Sequence, residues 1–253
     1  MTHRLSTSEF QVIWEQQRLG AMPAPLRVLP DGFTEQERRA VINQAHAGLR
    51  RNKLIDRHGE VDQRFGDLLH LLARPAKAVD ARLSLDRDYK VWAAGTATRG
   101  ALGWQDGETV TVRAMPAAGI AGQVVSLLPQ AGAGYGRSVS VRLAVLREAC
   151  GHAGQDPRQL EMELQRAGVS RADAHHLVTM TAGAGRRGQF RVLTDERGKL
   201  SAKPHVIGWW ITDQGLYLAQ DHTASDGQNW RTVAPADHAR LAGQIERMLS
   251  DAR

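Results

Sequence analysis

Ile120-Ala-Gly-Gln-Val124-Val-Ser-Leu127-Leu128 and Leu241-Ala-Gly-Gln-Ile245-Glu-Arg-Met248-Leu249 carry one apolar stripe twice. Ile120, Val124, Leu127 and Leu128 recur at the same spacing as Leu241, Ile245, Met248 and Leu249, the period of a half-buried helix. The same punctuation precedes each copy: an Asp-Gly turn (Asp106-Gly107, Asp226-Gly227), a short strand-like run, then Pro-Ala (Pro116-Ala117, Pro235-Ala236). A duplicated unit is the simplest reading, with halves of about 1–130 and 131–253 forming one domain.

Working outward, each half shows helices first and strands second. Thr7 or Ser8 caps a run with Phe10, Ile13 and Trp14 on one face, stopped by Gly20 and Pro23. Thr34 and Glu37 form a capping box ahead of Val41, Ala45 and Leu49. A third helix carries Val61, Phe65, Leu68, Leu69 and Leu72 and ends before Pro75. The period then switches to two. Val79, Ala81, Leu83 and Leu85 alternate with Asp80, Arg82 and Ser84, a strand with one buried face. Strand-like runs follow near 89–95, 101–105 and 109–113, joined by connections short enough for antiparallel hairpins.

The second half predicts helices over 142–152, 156–167 and 170–182. Asp156-Pro157 supplies an N-cap and N1 proline, Gly168 a stop, and Ser170 with Asp173 a new start. Strands fall near 189–194, 205–212, 216–220 and 229–233, and Asp237 caps the closing helix. Ile207, Trp209 and Ile211 share one strand face and Trp210 takes the other. The Gly-rich segment Gln130 to Gly136 links the halves. Four short strands covered on one face leave open edges, so docking the two sheets edge to edge under shared helices gives one continuous core. The fold class is α+β with an antiparallel sheet, and any edge left open admits a homodimer.

Composition narrows the function. With 42% hydrophobic and 24% charged residues, the 253-residue chain can bury a core and is not disordered. A net charge of +6 and a pI of about 10.0 admit an acidic partner or nucleic acid. The densest basic stretch, Arg186, Arg187, Arg191, Arg197, Lys199 and Lys203, is broken by Asp195 and Glu196 and reads as a solvated face. The single cysteine, Cys150, excludes an internal disulfide and a thiolate metal cage; its helical spacing with Leu143 and Leu146 makes it a small core residue. The N-terminus shows no secretory leader, and Val124–Leu128 is far too short to span a bilayer, so a cytoplasmic protein without membrane insertion is expected.

Motifs for chemistry are sparse. Gly183-Ala-Gly185-Arg-Arg-Gly188 has the spacing of a dinucleotide loop, but a helix precedes it and a strand follows, the reverse of what cradles a pyrophosphate. His175 and His176 are adjacent on a helix and diverge by about 100°, unsuited to sharing a metal. No cofactor, metal or catalytic residue is expected, and the chain does not read as an enzyme. Gln189-Phe190-Arg191-Val192, after Arg186 and Arg187, is the nearest approach to an aromatic–basic nucleic-acid strand, and Phe190 reads more simply as core. A basic nucleic-acid-binding or general protein-interaction module is the alternative to the function below.

A set of local phrases, in order, resembles the EspG family of actinobacterial proteins associated with ESX (type VII) secretion. They are Leu5-Ser-Thr-Ser-Glu-Phe10 with Trp14, Leu19-Gly20, Pro25-Leu26, Leu71-Leu-Ala-Arg-Pro75, Arg186-Arg-Gly-Gln-Phe190, Gly208-Trp209, Gly215-Leu-Tyr217 and Trp230-Arg-Thr-Val-Ala-Pro-Ala-Asp237. The resemblance implies a quasi-two-fold α+β domain whose central antiparallel sheet is flanked by two helical bundles. It also implies a cytosolic chaperone that binds secreted helical substrates, PE–PPE pairs or Trp-x-Gly hairpin proteins, and brings them to the secretion machinery. In the family the partner's tip meets the C-terminal bundle and the loop between two early strands. Here those regions are about 142–182 and Asp86, Arg87, Asp88 and Tyr89, a much shorter loop than in the well-known mycobacterial members. Leu160, Leu164, Val169 and Met180 are the exposed apolar candidates within the bundle. The chain is not itself such a substrate: Tyr217-Leu-Ala-Gln-Asp221 mimics an export signal but falls on a predicted strand.

Overall fold

A computed structural model of the chain describes residues 2–116, 118–196 and 199–250. Ala117 and Arg197 of the sequence reading lie outside the described residues. The first half runs β1 (Thr2–Ser6), α1 (Thr7–Gln16), α2 (Glu35–Arg51), α3 (Gln63–Ala73), β2 (Lys77–Ser84), β3 (Asp88–Gly95), β4 (Arg99–Asp106), β5 (Thr109–Pro116) and α4 (Ile120–Val125). The second repeats the series: β6 (Val139–Arg142), α5 (Leu143–Ala153), α6 (Pro157–Arg166), α7 (Arg171–Thr181), β7 (Arg187–Glu196), β8 (Lys199–Thr212), β9 (Gly215–Thr223), β10 (Asn229–Pro235) and α8 (His238–Ser250).

Among the described residues ten strands join one sheet in the order β1-β5-β4-β3-β2-β7-β8-β9-β10-β6. Read from the middle, the order is the same in both directions, which places a quasi-two-fold axis at the β2–β7 seam. That seam is antiparallel from Lys77 opposite Thr194 to Ser84 opposite Arg187. The edge-to-edge docking read from the sequence is what the backbone shows.

Each face of the sheet is covered differently. On one, α4 and α8 pack against each other and against the strands, and Ile120, Val124, Leu128, Leu241, Ile245, Met248 and Leu249 share a buried cluster with Val79, Val91, Phe190 and Trp209. The repeated stripe is thus the central core, seen once from each half. The opposite face carries two separate bundles. One, around α1–α3, buries Phe10, Trp14, Leu49, Phe65, Leu69 and Trp92; the other, around α5–α7, buries Leu164, Leu177, Met180, Tyr217 and Val233.

Local signals place the helices. Ser6, not Thr7 or Ser8, caps α1: its hydroxyl accepts from the Glu9 N–H at 3.1 Å while the Glu9 carboxylate accepts from the Ser6 N–H at 2.7 Å. Glu9 sits three residues after Ser6, the spacing that makes a reciprocal box. Thr34 and Glu37 close a second box, Asp156 accepts from the N–H groups of Arg158 and Gln159, and Ser170 accepts from Asp173. Asp237 accepts from the Arg240 N–H at 2.7 Å at the head of α8.

Three expectations change. β1 and β6 are strands that the sequence reading left out; they are five and four residues long, too short for an alternating pattern to stand out. Cys150 is exposed rather than core, because α5 turns Ala149 and Ala153 inward and Cys150 lies one residue further round the helix. Asp80, read as solvent-facing, is only 9% exposed, because the seam continues the sheet past β2 and puts Arg191 directly opposite it. Desolvation by burial pushes its carboxyl above the usual carboxylate range, against the pull of Arg82 and Arg191.

Candidate functional site

Between the two bundles the sheet is left uncovered over β3, β2, β7 and β8. Residues paired directly across strands share a face, so the register defines two rows there. The first is Lys90, Arg82, Gln189 and Gly208; the second is Asp88, Ser84, Arg187 and Trp210. All eight line a groove of about 610 Å³, together with Tyr89 from the β2–β3 turn and with Thr181 and Ala184 at the end of α7. Gly208 leaves its place in the floor empty of side chain, and a Cβ there would meet only Ala219 atoms at 3.8 and 3.9 Å.

Trp210 forms the wall on the C-terminal side. Its indole N–H donates to the Met180 carbonyl at 2.6 Å and its ring stacks on Tyr217 at 6.0 Å. This fixes an aromatic face that is only half-buried. The quasi-two-fold relates it to Trp92 on β3, whose N–H donates to the Leu72 carbonyl at 3.0 Å near the end of α3, as Met180 lies near the end of α7. Trp92, however, is 4% exposed. Two features distinguish the ends: the short helix Ala24–Leu26 packs against β3, and the hairpins differ in length. The long β7–β8 hairpin reaches the N-terminal bundle, where Leu193 and Leu200 pack against the cluster holding Trp92 and the Asp195 N–H donates to the Ala76 carbonyl at 2.8 Å. The β2–β3 hairpin turns at 85–87 and stops short of the other bundle, leaving Trp210 uncovered.

The β2–β3 turn is stiff. Arg87 pairs with Asp106 at 3.0 Å across the neighbouring hairpin, donates to the Tyr89 hydroxyl at 3.1 Å and lies over the Tyr89 ring at 5.8 Å. The Tyr89 hydroxyl donates in turn to Asp86 at 3.3 Å. Backbone hydrogen bonding, first of all from the Asp86 amide, holds the Asp86 carboxyl below its usual range. Tyr89 also lines a second hollow of about 310 Å³ on the far side of the hairpin, with Leu85, Trp104 and Leu127.

Of the residues predicted for a partner site, Asp88 and Tyr89 line the groove, Asp86 lines the second hollow, and Arg87 braces the turn between them. Leu160 lines a smaller hollow of about 230 Å³ that shares Thr181 with the groove. Val169 is half-buried at the α6–α7 turn. Leu164 and Met180 correct the expectation of exposed apolar contacts: both are wholly buried, since they are inward positions of α6 and α7 in the core cluster of the C-terminal bundle. Met162, 46% exposed on α6, was not anticipated. Nor were Arg82, Lys90, Arg187 and Trp210 as one group, although the opposite facing of Trp209 and Trp210 was readable; the register that joins four strands is not.

The other candidates fall elsewhere. Phe190 is fully buried against Trp209 and offers no stacking platform. The 183–188 glycine segment runs from a helix into a strand, and its end lines the groove. His175 sits 3.4 Å from Glu161, and among the described residues no three His, Cys, Asp or Glu side chains gather as metal ligands. Tyr217 and Asp221 lie on β9, with Asp221 accepting from Arg231 at 2.6 and 2.9 Å. No helix among the described residues is long and apolar enough to cross a membrane.

The EspG family model matches residues 6–247, nearly the whole chain. The chain belongs to the EspG family. Among solved structures, this EspG-family chain is similar to the Mycobacterium tuberculosis type VII secretion system chaperone EspG5, determined in complex with a PE25–PPE41 dimer. The TM-score is 0.78 at 13% identity, covering 97% of this chain and 95% of that one. At that identity the likeness establishes the shared fold. No curated protein matches in sequence.

Proposed function

We propose that this EspG-family chain is a cytoplasmic chaperone of a type VII secretion system. It binds secreted helical substrates of the PE–PPE kind, keeps them soluble and brings them to the ESX machinery, with residues 1–130 and 131–253 acting as two halves of one rigid binding body. The observation that carries the reading is the groove. It joins the β2–β3 turn and the end of α7, the two regions through which the family resemblance implies partner contact, at one concave surface with a fixed aromatic wall. The EspG5 complex, of the same fold over nearly the full length, supports it. An apolar helical tip left in water drives self-association, and burying a few anchors in such a groove removes that drive.

The test is co-expression of the chain with PE–PPE heterodimers from the same genome, followed by size exclusion. A stable three-chain complex and more soluble heterodimer are expected. Separate elution with no gain in solubility would overturn the proposal. A Trp-x-Gly hairpin protein co-eluting in place of a PE–PPE pair would keep the chaperone role and change the client.

A further inference from the structure

We propose that the groove selects an apolar side chain flanked by carboxylates at the tip of its helical partner, the apolar group resting on Trp210 and the carboxylates meeting Lys90, Arg82 and Arg187. This rests on the chaperone reading above and adds the chemistry by which the client is chosen.

Two independent observations carry it. Arg82 and Lys90 stand directly opposite each other on adjacent strands, a like-charge pair that destabilises a sheet unless something compensates. Compensation within the chain is incomplete. Arg82 reaches the nearly buried Asp80 at 3.5 Å, but among the described residues Lys90 and Arg187 have neither an ion pair nor a side-chain hydrogen bond. Among the described residues the only carboxylate lining the groove is Asp88. Cations with no internal partner, grouped in a concavity, attract an acidic segment and strengthen once water is displaced.

The second observation is the broken symmetry of the tryptophans. At the far end of the valley Trp92 lies in a core cluster against which Leu193 and Leu200 of the β7–β8 hairpin pack. At the near end the hairpin is too short to do this, and Trp210 stays open beside unpaired cations. A partner that lays an apolar side chain on Trp210 completes the surface that the fold finishes for itself at the other end, and its carboxylates answer the cations beside it.

The experiment titrates the wild-type chain with a purified PE–PPE heterodimer from the same genome by calorimetry, at about 50 mM and about 500 mM salt. Binding is expected to weaken at least tenfold at the higher salt. Lys90→Glu with Arg187→Glu should weaken low-salt binding by about tenfold or more and flatten the salt dependence. Trp210→Ala should weaken binding at both salts. Where a thermal melt shows either variant to be misfolded, Lys90→Gln with Arg187→Gln and Gly208→Leu replace them. Salt-independent wild-type binding, or wild-type affinity in either folded variant, overturns the proposal and leaves the chaperone reading intact. Failure of the wild type to bind any such heterodimer or any Trp-x-Gly hairpin protein overturns the chaperone reading and this proposal with it.

Discussion

Gly188 and Gly208 lie on neighbouring strands, yet opposite consequences follow from adding a side chain to each. A Cβ at Gly188 would collide with the Arg82 carbonyl oxygen and approach the Trp209 indole at 2.9 Å. Gly188→Ala is therefore expected to cost about 1–3 kcal/mol, read as a lower melting temperature, because backbone at the β2–β7 seam must move. At Gly208 a Cβ meets only ordinary contacts, so Gly208→Leu should leave the melting temperature nearly unchanged while filling the groove and weakening partner capture at least tenfold. A Gly208→Leu protein that still co-elutes with its client would place the binding surface elsewhere. Glu37 gives a pH signature. Its carboxylate accepts the Thr34 and Phe33 N–H groups, which lowers its folded pKa from 4.5. A lowered folded value means its stabilisation is present above the unfolded pKa and lost as pH falls through the folded one. The melting-temperature gap between wild type and Glu37→Ala should accordingly be full at neutral pH and shrink as the medium is acidified below the ordinary glutamate range.

At the scale of elements, helix periodicity identifies which side of α6 and α7 is apolar but not what covers it. Leu164 and Met180 belong to stripes that close on the core of their own bundle, so Leu164→Ala is expected to destabilise the chain by about 2–5 kcal/mol in chemical denaturation, whether or not a client is present. A loss of binding without a loss of stability would contradict that assignment. The long helices and the eight longer strands were legible because each carries a full pattern with caps or turns at its ends. β1 and β6 were not, since a strand of four or five residues derives its identity from its neighbour: Leu5 is opposite Val110, and Val139 and Val141 are opposite Val233 and Arg231. The groove was the least legible feature. Its cations come from β2, β3 and β7, and only the register brings Lys90, Arg82 and Arg187 to one surface.

At the scale of the whole molecule, the repeated stripe pointed to one body, because α4 and α8, which close the two halves, pack against each other in one cluster. Residues 1–130 alone would expose the β2 edge together with half of that core. Expressed separately, 1–130 and 131–253 are each expected to aggregate, and expressed together to associate into a soluble pair; the intact chain should melt in one transition. A soluble, cooperatively folded single half would refute the shared core.

The two-fold plan also has a consequence for how such a protein diversifies. The β2–β3 turn hangs beyond the last ladder pair, Ser84 opposite Asp88, and of its residues 85–87 only Leu85 packs, partly buried, at the margin of the shared core. Lengthening a surface connection costs only a fraction of a kcal/mol per few residues. Client choice can therefore drift by trimming or extending one overhanging turn, over a foundation that never needs rebuilding.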